Sequence, residues 1–169
     1  MAGSQAHNTE EEGRRKVFTL IKDIRVAMMA TYALEGFMHA RPMVARLEET
    51  NGEFWFFTSR GSATVQELRA DPRVLLTYAE PAKQNYVSVS GRGAVVDSQS
   101  RARELWSEPM RTWFPKGPED PDLILIRVDA ERAQYWDAPS STVVYAYGYV
   151  KARVTGERPD PGKEGKVQL

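Results

Sequence analysis

The sequence predicts a mainly β fold with peripheral helices, an antiparallel sheet of about six strands closing into a small barrel. Three observations carry that expectation. Short runs rich in valine, leucine and aromatics recur along the chain, as in 25–32, 54–58, 74–78 and 86–96. Asn51-Gly52, two residues that tolerate positive φ, sits between two such runs and marks a hairpin. Gly91 and Gly93 interrupt a strand pattern, as a bulge or a sharp barrel corner requires. Parallel pairing needs long crossovers, and the short connections here do not provide them.

The elements follow in order. Residues 1–8 show no periodicity and read as a disordered tail, with one domain over 9–169. Thr9 before Glu10, Glu11 and Glu12 suits a helix start, since a hydroxyl caps free amides and carboxylates favour the positive end of the dipole. Val17, Leu20, Ile21 and Ile24 then recur at helical spacing, giving a helix over 10–22. Residues 25–32 read as a mostly buried strand, Glu35-Gly36 as a turn, and 39–48 as a second strand with Met43, Ala45 and Leu47 on one face. The hairpin closes with 54–58. Ser62 caps a short helix over 63–69, Glu67 stands near capping-box spacing, and Asp71-Pro72 ends it. Strands follow at 74–78 and 86–96, then a helix from Ser98 or Ser100 to Trp106, and a further short helix over 108–114. A Gly/Pro loop spans 116–121, and strands follow at 123–128 and 132–136. Residues 142–155 fit a strand by composition and a helix by their ending. The tail is loop to 166, with 167–169 a last short strand.

Composition bounds the function. The 169 residues include 23 Lys+Arg and 23 Asp+Glu, a formal net charge of zero. A nucleic-acid or membrane surface would carry a basic excess, so neither partner is expected. The chain has no cysteine, which excludes disulfides, thiolate nucleophiles and zinc-thiolate sites. No apolar run approaches the roughly 20 residues that cross a bilayer, and the N-terminus lacks the basic and apolar regions of a signal peptide. The expected location is the cytoplasm.

Three features bear on a site. The segment 57–64 gathers hydroxyls, a glycine and Arg60 between a strand and a helix start, where free N–H groups favour an anion. It reads as a phosphate cradle or as a capped helix with a solvated arginine. Arg41, before Pro42-Met43, lies in an otherwise apolar strand. A buried arginine demands an anionic partner, and an edge arginine faces water. Trp106, Trp113 and Phe114 suit a wall for a planar ligand, or simply a core or interface. His7 and His39 are the only histidines, and neither stands in a metal-ligating pattern. No Walker loop, dinucleotide fingerprint or Ser/His/Asp pattern is present, so no metal and no catalytic side chain is assigned.

The ordered series His39-Ala40-Arg41-Pro42-Met43, then 54–59, Glu67-Leu68 with 71–74, 86–91, Leu105-Trp106, 113–115 and 134–136 resembles a known family. It is that of the general stress branch of the pyridoxamine 5'-phosphate oxidase-like, FMN-binding proteins. The resemblance covers most of the chain. It implies a split β-barrel and a homodimer with two FMN molecules in clefts between the subunits. It places Arg41 at the FMN phosphate, Pro42, Met43 and Val44 along the isoalloxazine edge, and Thr58, Ser59 and Ser62 in the phosphate loop. Trp106 and Trp113 would close the site from the partner. Many relatives carry a lysine or Arg-Lys where this chain has Ala63-Thr64, so Arg60 is the expected substitute cation and Thr64 the position where the charge is missing. The function implied is a flavin-dependent oxidoreductase with an unspecified small-molecule redox partner. The alternative is a flavin carrier or sensor, and a second is a flavin-free interaction domain. Deazaflavins and haem-derived ligands also occur on this scaffold.

Overall fold

In the computed structural model the described residues are 2–48, 52–137 and 163–169. Helix α1 runs from Ala2 to Ile24 and therefore includes the stretch expected as a disordered tail. Its apolar face, Val17, Phe18, Leu20 and Ile21, is buried in the main core. Once that packing nucleates the helix, each added N-terminal residue gains a hydrogen bond, and no proline stops it before Ala2. Thr9 thus falls inside the helix rather than at its cap. At the other end the Arg25 amide donates to the Ile21 carbonyl at 2.9 Å. Arg25 has φ +64°, the left-handed terminating position usually given to glycine.

Among the described residues eight strands follow, where about six were expected: β1 (Val26–Tyr32), β2 (Met38–Val44), β3 (Arg46–Glu48), β4 (Glu53–Ser59), β5 (Arg73–Glu80), β6 (Asn85–Val96), β7 (Leu123–Asp137) and β8 (Lys163–Gln168). All pair antiparallel in one sheet of order β2-β1-β5-β6-β7-β4-β3, with β8 also on β7. The expected strand 39–48 divides at Ala45. Its first part pairs with β1 and its second with β4, because β1 ends opposite Val44 at Val26. The first and last strands of the sheet order are therefore joined by one residue, and the sheet curls round to meet itself. Conversely, 123–128 and 132–136 are one strand. Its register against β6 steps from Ser90–Arg132 to Gly91–Ala130, so Glu131 is the extra residue of a bulge. A Cβ on Gly91 would lie 2.3 Å from the Asp129 carbonyl oxygen, which is why glycine stands there. The final strand starts at Lys163, earlier than expected. Asn51 and the ambiguous stretch 142–155 lie outside the described residues, while Gly52 takes φ +69° as a turn requires.

Helix α2 (Ala63–Ala70) and helix α3 (Gln99–Leu105) lie outside the sheet. The Ser62 hydroxyl caps α2, accepting from the Val65 amide, and Ser98 caps α3, accepting from Arg101. The segment expected as a short helix over 108–114 is a 3-10 turn, Glu108–Thr112, and a second turn, Gly117–Glu119, lies in the expected loop. Strand β4 shows how the layers divide. Phe54 and Phe56 enter the main core with Leu76, Tyr78, Val89 and Ile126. Trp55 and Phe57 face the other way, into a second cluster with Ala102, Phe114 and Leu125. The Arg101 guanidinium lies 4.7 Å from the Trp55 ring centroid.

One core residue carries a visible cost. Tyr78 is 1% exposed, and its hydroxyl has no hydrogen-bond partner among the described residues. Burial raises its pKa well above the usual phenol range. A buried hydroxyl without a partner forfeits about 1–3 kcal/mol of hydration. Tyr78→Phe is accordingly expected to keep or raise the midpoint of thermal unfolding, measured by circular dichroism. A fall of several degrees would mean that the hydroxyl is satisfied.

Candidate functional site

A groove of about 1440 Å³ opens where β2 passes into β3 beside the end of β4. Its lining includes Pro42, Met43 and Val44 of β2, Thr58 and Ser59 of β4, and Trp106, Met110, Trp113 and Phe114 from the segment after α3. The aromatic wall is braced from behind: Phe57 and Trp106 meet edge to face at 6.1 Å, and Arg111 lies 5.9 Å over the Trp106 ring. Trp113 is 79% exposed. Seven of the eleven expected site residues thus line one groove: Pro42, Met43, Val44, Thr58, Ser59, Trp106 and Trp113.

The other four do not line it. Ser62 accepts from the Thr58 hydroxyl at 3.2 Å while capping α2, and Thr64 is buried on that helix. Arg60 turns to the other side of the strand end. It makes a forked pair with Asp97, 2.6 Å and 3.0 Å, and donates to the Pro121 carbonyl. The Asp97 hydrogen bond raises the Arg60 pKa, and the reciprocal bond lowers that of Asp97. Arg60 is thus committed away from the place where a substitute cation was expected.

Arg41 meets the requirement that a buried arginine find an anion, and the anion is Glu67. Its guanidinium donates to Glu67 Oε2 at 2.7 Å and to the Thr31 hydroxyl. Thr31 donates to the same carboxylate oxygen at 2.5 Å, and His39 Nδ1 lies 2.9 Å from Glu67 Oε1. Thr31 is fully buried and Glu67 is 3% exposed. Burial raises the carboxyl pKa, but the bonds from Thr31, His39 and Arg41, with the charge of Arg41, outweigh it and hold Glu67 below its usual value. Alternation along β2 puts His39 and Arg41 on the α2 side, with Ala40 and Pro42 opposite.

Sequence reasoning passed over Arg46, Lys22 and Arg25, which also line the groove. Arg46 donates to the Ser107 hydroxyl, while its Nε is buried with no partner among the described residues. The signal was present: Arg46 falls on the alternate face of an apolar strand. Among the carboxylates, Glu48 and Glu104 are paired with Arg101, and Asp122 accepts from Ser59. Among the described residues no group of His, Cys, Asp and Glu is arranged to hold a metal, and no helix is long and apolar enough to cross a membrane.

One further surface adjoins the groove. The register pairs Val26 with Val44, Met28 with Pro42, Ala30 with Ala40 and Tyr32 with Met38, and these eight outward residues are all apolar or aromatic. Val26, Met28, Met38 and Val44 are 42–54% exposed. Phe37, at the end of the same hairpin, is 70% exposed.

An antiparallel sheet curled on itself, with helices outside and an aromatic groove at its seam, defines the split-barrel class. Residues 12–160 match the family described as pyridoxamine 5'-phosphate oxidase like, and the chain belongs to it. Its solved neighbours include the general stress FMN/FAD binding protein of Xanthomonas citri, 32% identical, TM-score 0.68, covering 78% of this chain and 92% of that one. A structure from Jannaschia sp. CCS1 assigned as a general stress protein 26 is 21% identical with TM-score 0.75, covering 94% and 99% of the two chains. The Neurospora crassa protein bli-3 is 24% identical over 143 residues, 79% of this chain and 68% of its own length.

Proposed function

We propose that the groove binds FMN non-covalently, that two copies of the chain form a dimer with a flavin at each of two equal sites, and that the protein works as a flavin-dependent oxidoreductase. The observation that carries this reading is the groove itself. Aliphatic Pro42-Met43-Val44 and aromatic Trp106 and Trp113 line one space large enough for a tricyclic ring. The Xanthomonas citri neighbour, described as FMN/FAD binding, supports it. Arg46, whose buried Nε has no partner among the described residues, suits a polar edge of such a ring. When bound, the flavin supplies the redox chemistry, while the chain orients it and shields it from water.

The dimer rests on the apolar face of β1 and β2. A two-fold axis would place that face against its copy, using one patch twice and producing two equivalent clefts. Pro42 and Val44 belong to both the face and the groove, so the partner would cover the open side of each flavin.

A carrier or sensor is the second reading. The groove carboxylates Glu48, Glu104 and Asp122 are each engaged by a neighbour, and none is poised as an acid or base. One experiment separates the two. Absorbance of the purified protein with added FMN is expected to show bound-flavin bands. Anaerobic NAD(P)H followed by an acceptor is then expected to bleach and restore them at rates above free FMN. Bound flavin that is reduced no faster than free flavin favours the carrier, and no spectral change removes the flavin reading.

A further inference from the structure

We infer that Glu67 sets what this site demands of a flavin: by cancelling Arg41 in place, it leaves the β4–α2 junction without an available cation among the described residues, so the groove takes riboflavin about as readily as FMN. The inference rests on the flavin reading above and concerns which part of the ligand is recognised.

Three observations converge on the junction. Arg41 is immobilised by two acceptors at once, Glu67 Oε2 and the Thr31 hydroxyl, and its side chain is only 22% exposed. Swinging it towards the groove would strand a carboxylate that is 3% exposed. Losing one partner of a buried pair is among the more costly changes a protein suffers. Arg60, the second guanidinium, is forked onto Asp97 and also bonded to the Pro121 carbonyl. The helix itself offers no cation in its first turn, since Ala63-Thr64 stands there and Thr64 is buried.

The cations that line the groove, Lys22, Arg25 and Arg46, stand on other elements. Arg46 pairs opposite Trp55, while Thr58 lies three residues further along β4, about 10 Å away at strand rise. Arg25 is at the same corner, its carbonyl accepting from the Ala45 amide. Among the described residues, a dianion at the Thr58–Ser62 junction therefore meets hydroxyls and the short α2 terminus, with Arg41 paired to Glu67 and Arg60 to Asp97. Ring contacts with Met43, Trp106 and Trp113 are common to every flavin, so they set the affinity without reference to the phosphate.

The test is a pair of titrations, FMN and riboflavin, followed by quenching of flavin fluorescence. In the unaltered protein the two dissociation constants are expected to agree within about threefold. Glu67→Gln removes the cancelling charge. A charge-assisted bond is worth about 1.5–3 kcal/mol, so the FMN preference should rise about tenfold to a hundredfold while riboflavin binding holds. A ratio is read, so a loss of stability common to both ligands does not move it. Should Glu67→Gln not fold, Thr64→Lys adds a cation at the same junction and is expected to raise the same ratio. An unaltered protein that binds FMN at least about tenfold more tightly than riboflavin overturns the inference. So does a folded variant whose ratio stays put. Failure of both flavins to bind the unaltered protein removes the flavin reading itself, an outcome distinct from tight but phosphate-dependent binding.

Discussion

Arg41→Ala is expected to destabilise the protein by about 3 kcal/mol, largely apart from any ligand. Removing the guanidinium leaves Glu67, 3% exposed, with only Thr31 and His39 as donors. In a chain of this size the loss corresponds to about 6–12 °C in the unfolding midpoint. The pH dependence supplies a check. The folded-state pKa of Glu67 is lowered from 4.5, so its contribution is fully present above that value and is lost as pH falls through the folded value. The difference between wild type and Arg41→Ala should therefore be full at neutral pH and shrink as pH falls below 4.5. A constant difference from pH 7 to 3 would mean that the ionised carboxylate is not what Arg41 stabilises. A purely ligand-contacting arginine would instead leave the midpoint of the flavin-free protein unchanged.

The second large effect concerns assembly. Met28→Glu places a charge in the middle of the apolar β1–β2 face, opposite Pro42 and Thr77 in the register. Met28 is 42% exposed and lies outside the groove lining, so the isolated chain should fold normally. In a two-fold contact the carboxylates enter the interface twice, near one another and away from water. Burying such charges without partners costs several kcal/mol. Sedimentation velocity is expected to show a dimer for the wild type and a monomer for the variant, with unchanged far-ultraviolet dichroism. Flavin retention on gel filtration should fall at least tenfold, in line with a cleft that needs both chains, since each tenfold reflects about 1.4 kcal/mol. A dimeric Met28→Glu protein would place the contact elsewhere. A monomeric variant that keeps its flavin would show that each chain holds a complete site.

What the sequence revealed follows physical range. Local patterns were legible: the β4 aromatics, the Ser62 cap and the glycine turn each depend on a few neighbouring residues. The demand of Arg41 for an anion was legible as one of two readings, the other being an edge arginine facing water. Its partner was not. Glu67 lies 26 residues away, and its position near Ser62 suggested a capping role. In the structure Ser62 caps alone through Val65, and Glu67 turns into the core. The break at Ala45 was hidden because alternation of period two runs through it unchanged, and only the exchange of pairing partners divides the strand. The bulge misled in the opposite sense. Ala130-Glu131 disturbs the alternation, so one long strand read as two. Trp55, whose burial no local pattern announces, lies 5% exposed beneath Arg101.

The junction at Ala45 has a mechanical consequence. Val44 and Arg46 belong to the two ends of the sheet order, yet covalent bonds hold their Cα atoms within about 7 Å at full extension. The floor of the groove is thus an inextensible tether: β2 and β3 cannot draw apart to admit a thicker guest. The aromatic lining is carried instead by the end of α3 at Trp106, the 3-10 turn Glu108–Thr112 and the exposed Trp113. Any widening must come from that lining, as a jaw opens against a fixed anvil, and ligand thickness is gauged there rather than along the barrel.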